Sequence, residues 1–88
     1  MASIEGSIST ENSWQAVGSA ATTDKVLLVE NIGPSASVIY ALAASTTPDN
    51  SARGHKVFEG RAGALPIALQ NGDSLYLKGN QGSLFIVT

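Results

Sequence analysis

The chain has 88 residues, enough for one small domain and too few for a two-domain enzyme or a dinucleotide-binding α/β unit. It holds no cysteine, which excludes disulfide staples and a zinc site built on several thiolates. Only 14% of residues are charged and the net charge is -2, the wrong balance for generic nucleic-acid binding.

Residues 1–12 are rich in Ser and Thr, with Ile4 and Ile8 isolated among them. Gly6, Ser3, Ser7 and Ser9 oppose a stable isolated helix. The segment reads as an N-terminal arm: free, packed on its own domain, or exchanged between subunits. It lacks the basic region and apolar core of a signal peptide, so synthesis in the cytoplasm is expected. No apolar run approaches the roughly 20 residues of a membrane span, so no membrane partner is expected.

A single domain is expected over residues 13–88. Ser13–Val17 is the first strand candidate, carrying the only tryptophan, Trp14. That residue is either a core anchor or a surface recognition group. Lys25–Ile32 is the clearest strand. Val26 and Leu28 share one face and Leu27 and Val29 the other, as in a strand covered on both sides or facing a subunit interface. Asn31–Ser35 reads as a turn, with Gly33 and Pro34 supplying its backbone geometry.

Ser37–Ala43 follows as a strand, because Pro34 and the run Val38, Ile39, Tyr40 outweigh its alanines. Ser45–Gly54 is the longest polar loop. His55–Glu59 is a short strand, broken at Gly60–Gly63. Ala64–Gln70 and Asp73–Lys78 flank Asn71 and Gly72, a strong hairpin signal between β-prone runs. Pro66 assigns the first of these to an edge or a bulge. After a turn at Gly79–Gly82, Ser83–Thr88 closes the chain, and the last three strands suggest a meander. About seven short strands imply an all-β fold: a compact antiparallel β-sandwich or a small barrel.

The chemistry-bearing residues are sparse. His55 is the only histidine, and no serine stands in a nucleophile elbow. The Gly60–Gly63 and Gly79–Gly82 runs lack the third glycine and following helix of a phosphate loop. Asp49 with Asn50, and Asn71 with Asp73, fall short of the carboxylate spacing of a calcium loop. No enzyme activity, cofactor or resident metal is expected. Arg53, His55, Lys56 and Arg61 form a local basic group, either solvated charge or a docking patch for an acidic protein surface.

Several local patterns occur together across residues 13–88. A strand ends in Asn31, Ile32, Gly33; Val38–Tyr40 follows, then an Ala/Ser/Pro loop at Ala43–Pro48. A glycine-centred break, the element Leu69–Tyr76 and a Gly-x-x-Gly turn before Val87 and Thr88 complete the pattern. In these features the chain resembles small β domains of tailed-bacteriophage virion proteins. That group includes head decoration or cement proteins and tail or fibre accessory modules.

The resemblance carries no catalytic residues. It implies a structural role in the virion, by multivalent contact with the major capsid protein or neighbouring virion subunits. It further implies a homo-oligomer, first of all a trimer, because capsid lattices offer threefold positions. Candidate contact residues are Ile4, Ile8 and Trp14 with the basic group Arg53, His55, Lys56 and Arg61. The alternative is a tail-tip or fibre module that binds host-surface carbohydrate or protein. That alternative expects an exposed aromatic platform drawn from Trp14, Tyr40 and Tyr76.

Overall fold

The computed structural model describes residues 3–35, 37–59 and 64–88. Eight strands follow one another: β1 (Ile4–Ser7), β2 (Gln15–Val17), β3 (Lys25–Gly33), β4 (Val38–Ala44), β5 (His55–Phe58), β6 (Leu65–Leu69), β7 (Ser74–Gly79) and β8 (Leu84–Val87). They make two four-stranded antiparallel sheets, ordered β1-β8-β3-β6 and β2-β7-β4-β5. No closed barrel forms among the described residues.

One core joins the sheets. The first sheet contributes Val29, Ile67, Leu69, Phe85 and Val87; the second contributes Ile39, Ala41, Val57, Leu75 and Leu77. These positions alternate along their strands, so period-2 patterning turns every second side chain inward. Branched and aromatic side chains fill this pleated, half-buried surface well.

The strand beyond the seven expected, β1, lies within the expected N-terminal arm. Ile4–Ser7 pairs with β8 of the same chain, from Ile4 opposite Val87 to Ser7 opposite Leu84. Ile8 is only 1% exposed and belongs to the core. Its N–H donates to the Ser83 carbonyl, and its carbonyl accepts from the Gly82 N–H, both at 2.8 Å. The Glu11 carboxylate accepts from the Gln81 N–H at 2.7 Å and from Asn80 Nδ2 at 2.9 Å. A segment with weak local propensity is thus ordered by a partner distant in sequence, which no local pattern reveals.

Connections also differ from the expected order. Asn71 and Gly72 do not close a hairpin, because β6 and β7 belong to different sheets. The turn instead carries the chain across the edge of the core, with Gly72 at φ +95°. The Gly72 N–H donates to the Ala21 carbonyl and the Ala21 N–H to the Asp73 carbonyl. Likewise β6, β7 and β8 form no meander, since β7 lies across the core from the other two. Among the described residues only β4 and β5 are successive strands that pair, and the loop Ser45–Gly54 spans between them.

The expected turn at Asn31 is still part of β3, which bulges between Asn31 and Gly33 opposite β8. Asn31 is buried with both ends of its side-chain amide engaged. Its Nδ2 donates to the carbonyls of Ser37 and Val57, at 3.1 and 3.0 Å. Its Oδ1 accepts from the Gly33 N–H at 3.0 Å and the Ser37 hydroxyl at 3.1 Å. One amide thereby pins the first sheet to the second.

Candidate functional site

Two outward faces carry features that the core does not explain. On the first sheet, Val26, Leu28, Glu30 and Ile32 alternate away from the core along β3. Val26 is 57% exposed, and Leu28 and Ile32 are also exposed. Val26 lies opposite Ala68, and Leu28 opposite Pro66. Exposed Leu84 of β8 lines a shallow depression with Ile32, Glu5 and Ser7. On this face exposed Glu30, opposite half-buried Ile86, lies between Leu28 and the Ile32–Leu84 pair, so the exposed apolar groups flank one carboxylate. The apolar outer face of β3 was legible from its sequence; within this chain nothing covers it among the described residues.

On the second sheet, the loop Ser45–Gly54 folds back over the outer face and covers Trp14. Trp14 is 5% exposed, yet it stands apart from the core between the sheets. Its indole N–H donates to the Asp49 carbonyl at 3.0 Å, and its backbone N–H to Asn50 Oδ1 at 3.4 Å. The Lys78 ammonium donates to the carbonyls of Asn50 and Ala52, at 2.6 and 3.3 Å. The same ammonium lies 4.7 Å from the Trp14 ring centroid and 5.7 Å from that of Tyr40. Gly54 permits this close fit: a Cβ there would stand 2.8 Å from both the Ala41 carbonyl oxygen and Trp14 Cη2.

The Asp49 carboxylate is occupied by the loop itself. Its Oδ1 accepts from the Ser51 hydroxyl at 2.6 Å and the Ser51 N–H at 2.8 Å. These bonds, with a smaller contribution from the Lys78 charge, hold the Asp49 carboxyl below the ordinary aspartate value. Beside this loop lies a cleft of about 440 Å³, lined among others by Tyr40, Ser51, Arg53, Lys56 and Lys78.

The expected contact residues therefore separate. Ile8 and Trp14 are buried and unavailable to a partner in this fold. Ile4 is exposed at the rim between the sheets, in a depression shared with Val17, Leu27 and Val87. Arg53 and Lys56 meet in the cleft, while exposed His55 lies opposite Ala41 on β5. Arg61 lies outside the described residues, as does the expected break at Gly60–Gly63.

Sequence reasoning missed Tyr40 and Lys78 as members of the basic group, because strand register alone brings them beside Lys56. Trp14 and Tyr76 offer no exposed aromatic platform, since both are buried. Among the described residues no three His, Cys, Asp or Glu side chains gather as a metal site. Asp24 and Asp73 accept backbone hydrogen bonds from Asn71 and Gln70, so those carboxylates serve the turn.

Comparisons with models of protein families, with curated proteins and with solved structures found no match.

Proposed function

We propose that this chain is a structural virion protein of a tailed bacteriophage that decorates or cements the capsid shell. Docking is through the outer face of the β1-β8-β3-β6 sheet. The observation that carries this reading is the exposed apolar set Val26, Leu28, Ile32 and Leu84, which shares one sheet face with Glu30. A shell protein offers that face many identical sites, so modest individual contacts add up when several copies are joined. The resemblance across residues 13–88 supplies the biological context, and the major capsid protein or a neighbouring virion subunit is the partner. A homo-oligomer, first of all a trimer, would match threefold positions on a shell.

Light scattering of the purified protein, followed by co-sedimentation with assembled phage shells, tests the reading. An oligomer that sediments with shells in saturable amounts supports it. A monomer that stays in the supernatant at every shell concentration removes it.

A further inference from the structure

The cleft on the second sheet has a construction of its own. Strand register places Lys56 of β5 directly opposite Tyr40 of β4, and Tyr40 directly opposite Lys78 of β7. Lys56, Tyr40 and Lys78 thus form one row across three strands, on the face turned away from the core. Arg53 reaches the same cleft from the loop, and Ser51 lines it as well. Three cationic side chains and two hydroxyl-bearing ones border about 440 Å³ of space, within the roughly 300–1,000 Å³ of small-ligand pockets.

We propose that this cleft binds a doubly charged tetrahedral oxyanion, phosphate or sulfate, either free or carried on a saccharide. Charge selects this class. Arg53, Lys56 and Lys78 bring three positive charges, and the one carboxylate of the adjoining loop, Asp49, is already engaged by Ser51. A dianion compensates the resulting excess, whereas a single carboxylate leaves more of it unopposed. Lys78 spends two N–H groups on Asn50 and Ala52, and an ammonium has three. A guanidinium adds a planar fork suited to paired oxygens. Tyr40 supplies a neutral hydroxyl at the same border, while the Ser51 hydroxyl proton is already donated to Asp49.

The site is also assembled before any ligand arrives. Trp14, Gly54 and Lys78 fix the loop against the sheet, so the ordering cost of binding is confined to the side chains of Arg53 and Lys56. The proposal is independent of shell docking, because it uses the opposite sheet.

The test is a backbone-amide NMR titration at constant ionic strength with inorganic phosphate, sulfate, glucose 6-phosphate, glucose and acetate. Constant ionic strength keeps general screening from imitating a site. Saturable shifts confined to Tyr40, Ser51, Arg53, Gly54, Lys56 and Lys78 are expected, with dissociation constants of about 1 mM. Arg53→Ala and Lys56→Ala should each weaken phosphate about fivefold or more, and Lys25→Ala should leave it unchanged. Both cleft residues are on the loop or an edge strand, and unperturbed core resonances will show that each variant is folded. Tighter binding of glucose 6-phosphate than of phosphate assigns the group to a saccharide; equal binding assigns it to the anion alone. Glucose binding as tightly as glucose 6-phosphate, acetate as tightly as phosphate, or full phosphate binding by an Arg53→Ala, Lys56→Ala double variant overturns the proposal.

Discussion

The indole N–H of Trp14 donates a 3.0 Å hydrogen bond to the carbonyl of Asp49, and so ties the longest polar loop to the outside of the second sheet. The only tryptophan of the chain therefore anchors a loop rather than the core between the sheets. Trp14→Ala should destabilise the protein by about 3 kcal/mol, since a large buried side chain is lost. Trp14→Phe keeps most of the apolar contact, loses the donor and should cost about 1 kcal/mol. Denaturant unfolding gives both values. Amide exchange should quicken most within Ser45–Gly54, and uniform acceleration over both sheets would contradict the anchoring role.

Gly54 is the second support of that loop. Gly54→Ala places a methyl group 2.8 Å from the Ala41 carbonyl oxygen, a backbone atom that cannot step aside cheaply. A loss of about 1–3 kcal/mol is expected, together with increased mobility of the loop by NMR relaxation. Unchanged stability and relaxation would show that the loop does not need this close approach.

Asn31 and Ser83 form a contrasting pair of buried polar residues. Asn31→Ala strands the carbonyls of Ser37 and Val57 and the Gly33 N–H, and should cost about 2–4 kcal/mol. The Ser83 hydroxyl is buried and has no hydrogen-bond partner among the described residues. Ser83→Ala should therefore be neutral or stabilising, by up to about 1 kcal/mol. Thermal and denaturant unfolding should show a loss for Asn31→Ala and none for Ser83→Ala, and equal losses would refute the contrast.

The Asp49 carboxyl is held below the ordinary aspartate value, chiefly by the Ser51 hydroxyl and then by the Ser51 N–H. A folded-state pKa below the unfolded one adds stability that is complete above the unfolded value. That contribution is lost as pH falls through the lowered folded value. Carbon-detected NMR titration should place the Asp49 midpoint beneath that of an exposed aspartate. Ser51→Ala should raise it, and a midpoint that does not move would remove Ser51 as the cause.

Leu28 tests the apolar face without touching the core. Leu28→Glu adds a second carboxylate beside Glu30 on that face, and should change stability by less than about 1 kcal/mol. Co-sedimentation with shells should fall about tenfold or more. Wild-type sedimentation by this variant would place the contact elsewhere.

The sequence by itself determined an all-β domain and seven of the eight strands among the described residues. In β7, Leu75 and Leu77 alternate with Tyr76 and Lys78, because a strand sends successive side chains to opposite faces. By contrast, β3 and β8 are apolar on both faces, and only the structure decides which side turns inward. Composition similarly showed that neither disulfides nor thiolate-bound zinc could hold the fold. Partnership between distant segments was not legible. Asn71 and Gly72 state that the chain turns, but not that the turn crosses from one sheet to the other. Ile4–Ser7 is a strand only because β8 presents an edge to it, and Asn31 is a cross-sheet pin only because Ser37 and Val57 arrive beside it.

The basic cleft followed the same division. Arg53 and Lys56 are near neighbours in sequence, so the sequence alone groups them. Lys78 and Tyr40 joined them through the register of β4 with β5 and β7. Local sequence fixes backbone preference and sidedness through short-range sterics and burial. Register and sheet membership are set by which long-range pairing buries the whole core at once, and that choice belongs to the tertiary structure.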